Sequence, residues 1–494
     1  MKNKLQRILN IPKQFLITAI FLFVAINSYF ITKEIYYQLV LPIGLLLGYI
    51  ALNKPKLLLL FVGLAAPFSL NLNKIKGLEG LGLYFPTEPI LIGLSLLLII
   101  SSLRISVLDK KIHSHRISMA VYFMLFWLLI TTFTSTMPII SVKFLISRLW
   151  FVIPLYFIAT KLFQSKEYIR KFFNVYLFSL AVIIILTVIR HAGFGFTQQS
   201  GHWVMNPYFK DHTSYGAAIA ILYPLLMGYS FAPFKTKIPK SVYRILLVIF
   251  SVGLVFSFTR AAWLSLVIGG GVYMIMKLRI KFYWVFTVFT LLLGSYLYFQ
   301  HDIARALAKN RQDSSEDFME HIRSMTNVST DASNLERLNR WNSALSMFTE
   351  KPFFGWGPGT YMFQYAPFQK SKDLTIISTN LGDAGNAHSE YIGPMAESGI
   401  LGLIYFLMIL ITVLYTGIKL YYIIDDKELK MLVMAAIIGI VSYAAHGFLN
   451  NFLDTDKLSY PFWGLCAVIA SIDLFHRTIF SSTNENNLEE VKGL

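Results

Sequence analysis

One histidine and two arginines carry most of the chemistry this sequence offers. His388 stands alone in Asn386-Ala387-His388-Ser389-Glu390-Tyr391, directly before an apolar run. An imidazole there takes a proton from an attacking hydroxyl near neutral pH, or it is a plain polar residue at a helix start capped by Ser389 or Asn386. Arg260, in Ser257-Phe258-Thr259-Arg260-Ala261-Ala262-Trp263, and Arg337, in Leu335-Glu336-Arg337-Leu338-Asn339-Arg340-Trp341, are permanent cations next to apolar segments. Such a group either holds an anionic partner or ligand, or snorkels to lipid headgroups. Arg340 and Trp341 are supporting candidates, and Trp341 falls at i+4 from Arg337, so the two share a helix face. Asp211 and His212 in Asp211-His212-Thr213-Ser214, together with Glu390 and His446, add further candidates. Arg148, in Ile146-Ser147-Arg148-Leu149-Trp150, lines a cavity or pairs with an acid such as Glu88. The histidines are scattered singly and the lone Cys466 sits in an apolar run, so neither a metal site nor a disulfide is expected. The run Gly355-Trp356-Gly357-Pro358-Gly359 follows a helical pattern and lacks the Lys-Ser/Thr of a phosphate-cradling loop, which makes it a shaping turn.

These residues need a scaffold, and the composition says which kind. The 494 residues are 55% hydrophobic and only 14% charged, with a mean hydropathy of +0.56, which is the balance of an integral membrane protein. The formal charge of +17 is read as the lysine and arginine excess of cytoplasmic loops. No basic stripe with interleaved aromatics stands out, so no nucleic-acid partner is expected. A span needs about 20 apolar residues. That length predicts about 14 spans, near 15–32, 37–52, 57–70, 88–103, 117–135, 144–162, 172–189, 213–232, 243–258, 262–276, 282–299, 399–423, 430–448 and 459–475. The 57–70 run is short, contains Pro67 and reads either as a span or as re-entrant. The N-terminus has no small-residue cleavage site and reads as a first membrane helix.

The expected fold is therefore all-α, a polytopic transmembrane bundle of about 12–14 spans with one large extracytoplasmic loop containing amphipathic helices. Its expected divisions are N-terminal transmembrane helices over 1–299, a large periplasmic loop over 300–398, C-terminal transmembrane helices over 399–475 and a cytoplasmic tail over 476–494. Alternate loops concentrate lysine and arginine, as in Lys54/Lys56, Lys161/Lys166/Arg170/Lys171, Lys235/Lys237/Lys240/Arg244 and Lys277/Arg279/Lys281. The positive-inside rule then makes both termini cytoplasmic and turns the polar loop outward. Within that loop Leu338, Trp341, Leu345 and Phe348 recur at helical spacing, predicting an amphipathic helix over 334–350 that lies against the membrane or the bundle and ends at Lys351-Pro352.

The run Arg337-Leu338-Asn339-Arg340-Trp341, the segment Lys351-Pro352-Phe353-Phe354 with the glycine turn to Gly359, Ala387-His388-Ser389-Glu390-Tyr391, and Glu397-Ser398-Gly399-Ile400-Leu401-Gly402 together resemble the signature of the O-antigen ligase and polymerase superfamily. Thr259-Arg260-Ala261 resembles that family's Ser-Arg-Gly turn, and Asp211 to Gly216 resembles the segment opening the preceding helix. The resemblance implies a glycosyltransferase on the periplasmic face of a bacterial cytoplasmic membrane. Its donor would be a glycan on undecaprenyl diphosphate. Its acceptor would be a hydroxyl of the lipid A core, another lipid-linked glycan or a protein. By family resemblance the reaction is metal-independent and inverting and needs no cofactor, with Arg260 and Arg337 on the diphosphate and His388 as base. Ser389 and Ala261 depart from the family's usual asparagine and glycine. An O-antigen or exopolysaccharide polymerase and a protein O-oligosaccharyltransferase are alternatives within the family. A membrane transporter is the alternative from another class, with Arg148 and Gly269-Gly270-Gly271 as the residues it would use.

Overall fold

The computed structural model describes residues 13–32, 54–74, 82–102, 108–231, 236–281, 332–371 and 385–476, with isolated positions between them. The expected spans at 37–52 and, for the most part, 282–299 lie outside the described residues. So do the polar run 301–331 and the tail after 476.

The described chain is a helical bundle. In order it forms α1 (Lys13–Thr32), α2 (Pro55–Ala65), α3 (Thr87–Ser102), α4 (Arg116–Phe133), α5 (Pro138–Leu162), α6 (Lys166–Ala192), α7 (His212–Phe231), α8 (Lys240–Val255), α9 (Arg260–Lys277), α10 (Ala332–Glu350), α11 (Ile392–Ser398), α12 (Ile400–Ile423), α13 (Lys427–Gly447) and α14 (Asp456–His476). Seven of these, α4 to α7 and α12 to α14, are long and apolar enough to cross a membrane, so the protein is multi-pass. The helix starts follow local chemistry. Pro55 and Pro138 open α2 and α5, where a missing backbone N–H costs nothing. Asp426 caps α13, its Oδ1 accepting from Glu428 N at 3.0 Å and Leu429 N at 2.9 Å. Pro154 falls in a wide turn of α5, Ile153–Ile158, where the regular hydrogen-bond ladder loosens.

The bundle centre is made by α7, α13 and α14, whose faces are buried nearly all round. A helix apolar on every face belongs in the middle of a large bundle. The peripheral helices keep apolar side chains outward, among them Phe126, Ile189, Val267 and Ile411, as a lipid-facing surface requires. Around the centre, α8 and α9 pack on α7 and α13, and α4 packs on α12.

The two ends of the bundle differ. At one end Lys166 pairs with Asp426 at 2.5 Å, Arg170 with Glu428 at 3.3 Å and Lys237 with Glu167 at 2.9 Å, so the basic loops meet there. The 57–70 segment begins at this end, where the Tyr168 hydroxyl donates to Lys56 O, and it finishes at the other, where Lys457 Nζ donates to Ser69 O at 3.0 Å. It therefore runs the length of the bundle. It leads into a two-residue hairpin, β1 (Leu70–Asn71) pairing antiparallel with β2 (Tyr84–Phe85), the small strand element that an all-helical reading omits.

At the same end α10 and α11 form a cap with its own small core of Ala344, Met347, Tyr361, Tyr365, Ala387 and Ala396. The predicted amphipathic helix exists, but the stripe it buries is not the apolar one. Glu336, Asn339, Arg340, Ser343, Ala344 and Met347 face inward, while Leu338, Trp341 and Phe348 are half-buried and Leu345 is exposed. The polar stripe is buried against partners within the cap. Arg340 Nε lies 2.7 Å from Glu336 Oε1, and Asn339 Nδ2 donates to Gln369 Oε1 at 2.8 Å.

Candidate active site

Three separate connections bring the expected residues to the capped end. The first is the start of α7. Asp211 caps it, its Oδ1 accepting from Ser214 N at 2.8 Å and from the Thr213 hydroxyl at 2.7 Å. Burial opposes ionisation of Asp211, but those hydrogen bonds outweigh it and hold the carboxyl below its usual range. The second is the turn before α9. The Thr259 hydroxyl donates to His212 O at 2.7 Å, and Gly216 comes so close to Thr259 that a Cβ there would lie 2.8 Å from its side chain. Arg260 therefore emerges beside Asp211 and His212. The third is α10, from which Arg337 projects toward the same place.

Electrostatic reach shows the convergence. The charges of Arg337 and Arg260 both act at His212, beside Asp211 and His202. Arg337, Arg340, Lys210 and Asp211 act at His388, and Arg337, Asp211 and His212 act at His446. Arg260 and Arg337 thus lie within electrostatic reach of His212, and Arg337 and Asp211 within reach of His388, at the capped end of the bundle.

His388 has a distinctive backbone. Its φ is +50°, a left-handed conformation uncommon outside glycine and one that collects at functional turns. Asn386 Oδ1 accepts the His388 N–H at 3.1 Å, and Ser389 Oγ accepts from Tyr391 N at 3.2 Å and Ile392 N at 3.3 Å, so both capping residues fix the turn around the imidazole. The side chain is partly open to solvent, yet protein surrounds it on most sides. Burial first, then the charges of Arg337, Arg340 and Lys210, pushes the imidazole down to about 4, while Asp211 opposes this. The ring is neutral at pH 7 and able to accept a proton.

Other candidates serve the scaffold. Arg340 is buried, pairs with Glu336 and lies 4.5 Å from the Tyr365 ring centroid, while Tyr361 donates to its carbonyl at 2.8 Å. It supports the cap from inside. Trp341 packs edge-on against Phe448, 5.3 Å between ring centroids, and joins α10 to the end of α13. Glu390 is buried, with one carboxylate oxygen committed to three donors from α13 and the segment before α14. Arg148 does not pair with Glu88. Its guanidinium donates to Leu453 O and stacks 4.6 Å from the Phe144 ring, and it lines a small cavity with Glu390, Leu453 and Trp463. Glu88 instead accepts from Tyr84 N at 3.2 Å, beside Asp456 and Lys457.

The glycine turn joins α10 to α11. Trp356 N donates to Ala396 O at 3.2 Å and Gly357 N to Glu397 O at 2.8 Å. Gly355 has φ +68°, and a Cβ there would sit 2.4 Å from the Glu397 backbone, so only glycine allows the approach. Gly269 to Gly271 lie within the unbroken helix α9. Among the described residues no group of three or more histidine, cysteine or acidic side chains could hold a metal ion.

Two residues near His212 and His388 carry no motif. His202 stacks on His212 with ring centroids 4.3 Å apart, and Lys210 places a charge near His388. The only sequence signal for either was proximity to Asp211 and His212.

Arg260, Arg337 and the neutral imidazole of His388 are thus carried at one end of a multi-span helical bundle. Residues 245–407, about a third of the chain, match the O-antigen ligase family, the family that the motifs in this stretch resemble. The matched stretch contains Arg260, Arg337 and His388 and leaves α7, α13 and α14 outside it. No curated protein matches the chain.

Proposed function

We propose that the protein transfers a glycan from undecaprenyl diphosphate to an acceptor hydroxyl on the periplasmic face of the bacterial cytoplasmic membrane, as an O-antigen ligase-like enzyme. What supports this reading is that Arg260 and Arg337, from two separate elements, both act at His212, while Arg337 also acts at His388. His388 takes the proton of the acceptor hydroxyl as its oxygen forms a bond to the anomeric carbon, and the bond from that carbon to the diphosphate breaks. The bonding electron pair leaves on the diphosphate oxygen. Arg260 and Arg337 are permanent, multidentate donors for the charge that builds there. Attack opposite the leaving group inverts the anomeric centre. The position of the basic loops at the other end supports a cytoplasmic assignment for that end and a periplasmic one for the site.

The experiment is deletion of the gene with gel analysis of lipopolysaccharide and lipid-linked glycan, complemented by wild type and by His388→Ala. Loss of transfer restored by wild type alone is expected. Long glycan left on the lipid carrier identifies a ligase acting on the lipid A core, and single repeats on the acceptor identify a polymerase. Unchanged surface glycans would overturn the reading and bring protein glycosylation or transport forward.

A further inference from the structure

His202 lies ten residues before His212 in the segment joining α6 to α7. The two imidazoles stack face to face with 14° between their planes. This segment is built onto the turn that carries Arg260. Thr197 caps the short turn Gln198–Gly201, and its carbonyl lies 2.9 Å from His191 Nε2. The His191 ring packs edge-on against both Phe256 and Phe258, and Gly201 approaches Phe258 so closely that a Cβ would lie 2.6 Å from that ring. Phe258 is followed by Thr259, which holds the His212 carbonyl. The His202 segment, the start of α7 and the Arg260 turn therefore form one assembly, with His202 on its exposed side.

The local charge favours an anion. Arg260 and Arg337 act at the stack, and the adjacent carboxylate, Asp211, is engaged by Thr213 and Ser214. The stack covers one face of His202, and the edge of an imidazole carries at least one N–H in every protonation state. We infer that His202 is a further anion-binding residue, its ring N–H donating to a phosphate oxygen of a diphosphate held by Arg260 and Arg337. The inference rests on the transferase reading and adds a residue to its diphosphate site.

The test is calorimetric binding of inorganic pyrophosphate and of farnesyl diphosphate to the full-length detergent-solubilised protein at pH 7. The proteins compared are wild type, His202→Phe, His202→Gln and Arg337→Ala. His202→Phe keeps an aromatic ring on His212 and removes the donor, so affinity falls about tenfold, the equivalent of one charge-assisted hydrogen bond. His202→Gln keeps a donor and stays within about threefold of wild type. Weakening for both probes assigns the contact to the diphosphate itself, and weakening for farnesyl diphosphate alone assigns it to the lipid-borne form. If His202→Phe binds both probes like wild type while Arg337→Ala loses them, His202 is overturned and the transferase reading stands. Failure of wild type to bind either probe overturns both.

Discussion

Glu390 accepts the phenolic O–H of Tyr443 at 2.6 Å, across the interface between the His388 segment and α13. The same oxygen accepts Phe452 N at 2.9 Å and Leu453 N at 3.0 Å, while Glu390 N donates to Gly447 O at 2.8 Å. The imidazole two residues earlier is thereby fixed to the central helices. Burial holds the Glu390 carboxyl above its usual range, against the opposing effects of the Arg148 charge and the hydrogen bonds.

Removing this carboxylate strands the buried Tyr443 O–H and Leu453 N–H, while Phe452 N keeps the Tyr443 hydroxyl at 3.2 Å. Glu390→Ala is expected to destabilise the protein by several kcal/mol, at about 1–3 kcal/mol for each group left unsatisfied. Tyr443→Phe removes one of the three bonds and costs about 1–3 kcal/mol. Glu390→Gln keeps an acceptor oxygen and should retain most activity. Thermal unfolding in detergent, followed by tryptophan fluorescence, orders the three variants. A fully folded but inactive Glu390→Gln would instead give the carboxylate a part in the chemistry.

Arg337 and Arg340, three residues apart on α10, should separate function from stability. Arg340 is buried against Glu336, and removing one partner of such a pair leaves a buried charge, so Arg340→Ala costs about 3–5 kcal/mol. Arg337 is only half-buried. Arg337→Ala should therefore unfold within about 1 kcal/mol of wild type. Its glycan transfer should nevertheless fall on the order of a hundredfold, as expected for a lost donor to developing charge. The comparison combines detergent melting curves with transfer measured on purified lipid-linked glycan. Equal loss of stability in both variants would remove Arg337 from the site.

The spans were legible because a membrane helix is specified by local composition, and each of the seven described spans overlaps an apolar run that predicts it, with starts up to six residues earlier. Arg260 and His388 stand out in the sequence because a charged or titratable residue beside an apolar run is costly without a use. Arg340 and Glu390 do not, since their burial depends on partners far along the chain. Tyr443 lies 53 residues from Glu390, and Gln369 meets Asn339 across 30. The inward stripe of α10 misled for the same reason. Periodicity ranks side chains by hydropathy, whereas this helix buries the polar ones that its cap can satisfy. His202 needed the close approach of Gly201 to Phe258, which no spacing rule contains.

His388 gives a pH prediction. With its imidazole held down to about 4, the base form is fully present above roughly pH 5 and is lost only as pH falls through that value. The ratio kcat/KM, which reports the free enzyme, should show no acid limb from this residue between about pH 5.5 and 7.5. A bound diphosphate brings negative charge beside the ring and raises its proton affinity, so the limb on kcat lies at higher pH. Initial transfer rates across this range provide the check. An acid limb on kcat/KM near 6.5 that disappears in His388→Gln would contradict the neutral, desolvated ring.

Glu397 should make the glycine turn sensitive to alkali. Burial pushes its carboxyl up to about 7, against the N–H donors of Gly359 and Tyr361 and the charge of Arg148. In the unfolded chain a glutamate titrates near 4.3, so the folded state binds more protons between that value and about 7. The resulting contribution is fully present below pH 4.3 and is lost as pH rises through 7, at most roughly 4 kcal/mol. Glu397→Gln keeps an acceptor for Tyr361 N, which Oε1 now receives at 3.0 Å, and removes the titration. The variant should match wild type near pH 5 and unfold at a higher temperature than wild type at pH 8. Melting curves at the two pH values decide this. A wild type whose stability rises from pH 5 to 8, with the Gln variant unchanged, would mean that the two N–H donors outweigh burial and that the carboxylate is ionised in the fold.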